Sequence, residues 1–131
     1  MQDQRLRETH TGRVDDPREK LLAIFTAVIE ETGLPTFRGC PMLNTHTEFP
    51  DPQHPANRVA VTHEQRVRQW MRDLAADARA ADPEQLADDL VLVLNGVYVT
   101  ATVLGPQGPA QRAGELARRL IRAACDEPGR P

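Results

Sequence analysis

Between the pairs Asp82-Pro83 and Gly105-Pro106 lies the segment PEQLADDLVLVLNGVYVTATVL, whose patterning leaves few ways to fold. Past its first two turns it is apolar nearly all round, with Leu90, Val93 and Val97 on one side and Leu92, Val99 and Val103 on another. Its β-branched residues would suit a strand, but a run of this length between clear start and stop signals predicts a helix over 83–104. A helix in water with that composition has to be covered on more than one face. Gly96 sharpens the point, because a glycine inside a helix costs about 1 kcal/mol relative to alanine. Close approach of another backbone would offset that cost, with Thr100 one turn on and the alanine face of a following helix as partner.

The other predicted helices are modest. Asp16-Pro17-Arg18-Glu19 is a strong start, with Asp16 as cap, proline at the first helical position and Glu19 completing a capping-box-like pattern. Leu21, Leu22, Ile24, Phe25, Val28 and Ile29 follow at helical spacing, and Gly33 is expected to end the helix in a left-handed conformation before Pro35. Cys40 to Phe49 reads as a short helix opened by Pro41. Asp51-Pro52 and His54-Pro55 form a rigid turn, and the pattern is helical again over 56–80. There His63, Val67, Trp70 and Leu74 share one face. Gly108-Pro109 starts a last helix over 109–124, carrying Ala113, Leu116, Ala117, Leu120, Ile121 and Ala124. Residues 1–14 read as a frayed helix end or a disordered tail, 15–125 as one domain, and 126–131 as a loose tail. The fold class is all-α.

A chain of 131 residues is long enough for one domain that buries most of its apolar surface without metal or disulfide support. Five helices still have little with which to cover both sides of residues 83–104. Either the other helices wrap that segment completely in a monomer, or a symmetric homodimer covers it, with the last two helices of each chain forming a four-helix bundle. The dimer reading places Leu92, Gly96, Val99, Val103, Ala113, Ala117 and Leu120 at the interface.

Several function classes are disfavoured. The net charge is −3, and the arginines between 58 and 72 are interleaved with Glu64, Asp73 and Asp77, so no basic face awaits DNA in this chain. Residues 90–104, interrupted by Asn95, Gly96, Thr100 and Thr102, fall short of a membrane span. The polar first ten residues carry no secretory signal, so a cytoplasmic location is expected. Cys40 and Cys125 show no zinc or redox-motif spacing. His46, Glu48, His54 and His63 are plausible metal ligands in type, but His46 and Glu48 point to different faces of a helix and no HExxH occurs. No metal or other cofactor is expected. No serine-nucleophile or phosphate-loop motif appears, and no catalytic residue is assigned. Cys40, at a helix start, is either a redox-sensing thiol or a buried structural cysteine.

Val91, Asn95, Tyr98 and Thr102 make a second stripe on the 83–104 helix, at spacings of four, three and four. Ligand pockets combine apolar surface with a few hydrogen-bonding groups in this way. The alternative is that Asn95 and Tyr98 find partners inside the core or across a dimer axis. His63 divides the same way, between a hydrogen-bonded core residue and a ligand contact. Met42 and Trp70 suit the wall of an apolar cavity.

The run RGCPMLNTHTEFPDPQHP, the helix holding His63 and Arg66-Val67-Arg68, and DPEQLADDLVLVLNGVYVTATV together resemble the C-terminal region of TetR/AcrR-type bacterial transcriptional regulators. The resemblance covers roughly residues 15–124 and rests on the whole pattern, including a Gly-Cys-x-x-x-Asn-like segment at 39–44. It implies an all-α ligand-binding and dimerisation domain of a repressor, dimeric through its last two helices. The hydrophobic small-molecule effector it implies would contact Phe25, Met42, His63, Trp70, Asn95 and Tyr98. Nothing before Asp16 resembles the helix-turn-helix module with which family members begin. DNA is therefore expected as a partner only through a module outside this chain, which is a fragment, a product of a misplaced start, or a standalone sensing domain. A second reading is an interaction domain that dimerises with a full-length regulator without sensing a ligand.

Overall fold

The computed structural model describes residues 15–126; the expectations for 1–14 and for the tail beyond Asp126 fall outside the described residues. Among the described residues the chain is helical throughout, with α1 at Pro17–Thr32, α2 at Pro41–Glu48, α3 at Pro55–Asp77, α4 at Pro83–Leu104 and α5 at Ala113–Asp126. A 3₁₀ turn, Pro109–Arg112, precedes α5, so the last helix opens four residues later than its proline suggests.

Proline opens four of these helices and the 3₁₀ turn, where its missing N–H is no loss. The caps differ in chemistry but do one job, satisfying a backbone donor that the first turn leaves bare. Asp16 Oδ1 accepts from the N–H of Arg18 at 2.9 Å and Asp82 Oδ1 from that of Gln85 at 3.1 Å. His54 Nδ1 accepts from the N–H of Ala56 at 3.0 Å.

Two helix ends differ from expectation. Gly33 is not left-handed (φ −85°, ψ −6°). The chain leaves α1 through consecutive tight turns, Gly33 to Glu30 and Leu34 to Glu31, and Pro35 then stops it. The left-handed residue lies instead at the end of α3, where Arg79 has φ 63°. Its N–H donates to Ala76 O and that of Ala80 to Ala75 O, the paired bonds of a Schellman cap, with arginine where glycine is usual. That cap ends α3 at Asp77 rather than near Ala80.

α4 lies at the centre, packed against α1, α3 and α5, while α2 packs on α3. The core around it holds Leu21, Ile24, Phe25, Val28, Met71, Leu86 and Leu90. α3 and α4 run antiparallel, which the ion pairs Arg72–Glu84 (3.0 Å) and Arg68–Asp88 (2.9 Å) record. Exposed pairs of this kind add little stability, but they mark register. At the opposite edge Arg18 grips Asp126 with two bonds of 2.6 and 2.9 Å, tying the start of α1 to the end of α5.

By length and composition α4 could cross a membrane, so the expectation that it falls short does not hold on those grounds. Its inner side is nonetheless core: Leu86, Ala87, Leu90, Leu94, Val97, Tyr98 and Ala101 are buried by the chain's own helices.

Candidate functional site

The outer side of α4 is different. Leu92 is 72% exposed, Val99 59% and Val103 73%, and nothing approaches within 4 Å of where a side chain on Gly96 would begin. These four residues follow spacings of four, three and four, so one unbroken stripe faces outward. On α5, which packs on α4, the outward apolar side chains are Leu116, 43% exposed, and half-buried Leu120. Ala113 and Ala117 point the other way and are enclosed by the chain's own core. The apolar surface that α5 offers outward is therefore leucine, not alanine. The periodicity placed Leu116 on the helix without singling it out for this face.

One residue back along α4, half-buried Asn95 and buried Tyr98 meet carboxylates, while Thr102 at the end of that stripe is exposed. Asn95 Nδ2 donates to Glu64 Oε1 on α3. The buried Tyr98 hydroxyl bonds to Glu31, in the last turn of α1, and its ring stacks on Phe37 with centroids 6.3 Å apart. Burial, and then the negative charge of Glu31, push the Tyr98 hydroxyl far above its ordinary range, so it stays protonated and remains a donor. Thr102 Oγ1 bonds back to Tyr98 O at 2.8 Å.

Cys40, 5% exposed, caps α2 beside this group. Burial raises its thiol pKa, the N–H groups of Leu43 and Met42 oppose that, and Glu64 and Glu31 add to the rise. The Gly-Cys-x-x-x-Asn segment has a structural logic. Gly39 is left-handed (φ 87°), and Asn44 Nδ2 closes the turn by donating to Arg38 O at 2.8 Å. A side chain at Gly39 would meet Asn44 and Thr102 at 3.4 Å.

A buried thiol held in its neutral form is a poor nucleophile. Under native conditions a disulfide reagent is expected to modify the half-buried Cys125 at least about tenfold faster than Cys40, which should react only on unfolding. Mass mapping of the labelled peptides checks this, and preferential labelling of Cys40 would revive a redox role for it.

Of the other expected contacts, Phe25 and His63 are buried, while Met42 and Trp70 are half-buried against the core that contains Phe25 and Tyr98. Sequence reasoning missed Glu31, Glu64 and Phe37. Glu31 carried a signal, since a carboxylate in the last turn opposes the helix dipole and needs a local reason to be there. Among the described residues no three His, Cys, Asp or Glu side chains gather closely enough to hold a metal ion.

Residues 17–117 match the family described as tetracyclin repressor-like, C-terminal domain. The chain is 29% identical over 125 residues to the HTH-type transcriptional regulator YjdC of Escherichia coli, an alignment covering 95% of this chain and 63% of that protein. YjdC of Shigella flexneri matches to the same extent. The chain thus spans less than two thirds of the curated relatives' length. Among solved structures, the TetR-family transcriptional regulator SCO4454 of Streptomyces coelicolor superposes with a TM-score of 0.84 at 22% identity, covering 94% of this chain and 63% of that one. A putative TetR-type regulator of Streptomyces avermitilis gives 0.77 at 32% identity, covering 86% and 61%.

Proposed function

We propose a function from one premise: the chain belongs to the family of tetracyclin repressor-like C-terminal domains. Its role is effector sensing and dimerisation in a bacterial transcriptional repressor, working in the cytoplasm and without catalysis. The observation that carries this reading is the outward stripe of Leu92, Gly96, Val99 and Val103, continued by Leu116. A contiguous apolar face of this kind marks an association site. A second copy of the chain covers it in a four-helix bundle of α4 and α5, and DNA is reached through a helix-turn-helix of the kind that the Escherichia coli relative's name states.

The effector is a hydrophobic small molecule held among the inner helices, against Phe25, Met42, His63, Trp70, Asn95 and Tyr98. Asn95 and Tyr98 are the immediate neighbours of Gly96 and Val99 on α4. A molecule that competes for the bonds to Glu64 or Glu31 therefore acts on the same turns that face the partner, and can shift the populations of two dimer geometries.

A hydrophobic compound library screened by thermal shift tests the sensing half. A binder is expected to raise the melting temperature, and Tyr98→Phe to weaken it by roughly tenfold through loss of one hydrogen bond. If every binder ignores Tyr98→Phe and Asn95→Leu, the effector lies elsewhere. If no compound binds an intact dimer, the second reading prevails, a domain that dimerises with a full-length regulator without sensing. That reading draws on the fact that Asn95 and Tyr98 already have partners within the chain.

A further inference from the structure

Two copies can meet on one face in many registers, and the distribution of charge over this face selects one. α5 runs back along α4, and the N–H of Ala81, just before α4, donates to Ala124 O at 3.0 Å. The C-terminal end of α5 therefore lies beside the start of α4. The exposed apolar side chains are spread unevenly over the pair. On α4 they run from Leu92, near its middle, through Val99 to Val103. On α5, Leu116 and Leu120 flank the first half of α4, whose outward positions are Gln85 and Asp89. Gln85, Asp89, Leu92, Gly96, Val99 and Val103 form one stripe at spacings of four, three, four, three and four.

A two-fold axis makes every contact reciprocal. Near Leu92, between the two apolar halves, it lays Val99 of one copy on Leu120 of the other. Gly96 then leaves the gap that a leucine of the partner enters. The same rotation carries Asp89 to the N-terminal end of the opposite α5, where Arg112 closes the 3₁₀ turn. Asp89 is half-buried and Arg112 exposed, and among the described residues neither enters an ion pair. A carboxylate at the margin of an apolar interface needs an opposite charge when water leaves.

We propose that Asp89 pairs with Arg112 of the partner subunit, twice per dimer, and that these pairs set the register of the bundle. The proposal rests on the dimer reading above.

Charge reversal in the full chain, followed by sedimentation equilibrium, tests it. Asp89→Arg and Arg112→Asp are each expected to weaken the dimer by at least about tenfold, and the double variant to recover to within about threefold of the parent. Asp89→Arg combined with Arg119→Asp should not recover, because Arg119 lies two turns further along α5. Single variants without effect, or a double variant as weak as the singles, overturn the pairing while leaving the dimer in place. A chain that stays dimeric as Val99→Asp shows instead that the face itself is wrong, so the two failures are distinguishable. Far-UV circular dichroism confirms that each variant retains its helices.

Discussion

Val99→Asp is expected to turn the proposed dimer into a folded monomer, raising the dissociation constant by at least about a thousandfold. The size follows from symmetry. Each dimer would carry the substitution twice, and each buried carboxylate without a partner costs several kcal/mol, where 1.4 kcal/mol is a factor of ten. The valine's own contribution is lost as well, a fraction of the roughly 1.5–3 kcal/mol that full burial of such a side chain provides. Val99 is already 59% exposed within one chain, so the folded monomer meets little penalty. Sedimentation velocity at micromolar concentration should show a single species of half the mass, with helix content retained. A persisting dimer would mean that the outward stripe of α4 is covered by something other than a second copy. Leu116→Asp, on the neighbouring helix, should act in the same direction, because the two side chains belong to one surface.

The helices were legible because their signals are local. Asp16-Pro17 and Asp82-Pro83 announce their helices within four residues, and Gly105, at φ 85°, ends α4 where the sequence places the stop. The outward stripe was legible for a different reason. α4 has apolar residues on more sides than four other helices can cover, so Leu92, Val99 and Val103 are left facing outward. Arg79 was missed because a left-handed arginine violates the preference that makes glycine readable, and its cap bonds are purely backbone. Ala113 and Ala117 could not be assigned to a side, since alanine suits both a tight interface and a tight core.

The partners of the inner stripe were hidden by distance along the chain. Glu64 lies thirty-one residues from Asn95, and no periodicity within either helix relates them. What joins them is the antiparallel register of α3 on α4, set by packing. The consequence is chemical: of the two readings of that stripe, the one in which Asn95 and Tyr98 find partners inside the chain matches the structure, and both partners are acids. Any effector that uses these two donors has to take a carboxylate's place as acceptor, which favours molecules with hydrogen-bond acceptors over plain hydrocarbons.

Phe25→Ala is expected to destabilise the chain by about 3–5 kcal/mol, the range for emptying a fully enclosed aromatic site. Phe25 is 0% exposed and belongs to the same contiguous core as Met71, Leu90 and Tyr98. Its ring comes from the middle of α1, which packs on α3, α4 and α5 at once, so no single neighbour can collapse into the space. Against a typical total of about 5–15 kcal/mol, the loss is enough to leave much of the population unfolded near 37 °C. Urea denaturation measures it. A residue lining an effector pocket behaves differently: its truncation enlarges a space that already admits small molecules, so the stability loss is smaller and the change appears in effector affinity. A loss below about 1.5 kcal/mol, with an altered thermal-shift response to a bound compound, would move Phe25 from the core to the wall of the pocket. A loss in the full range would leave Phe25 as the buried floor of the proposed site, with Tyr98 and Asn95 as the α4 side chains nearest to the proposed effector.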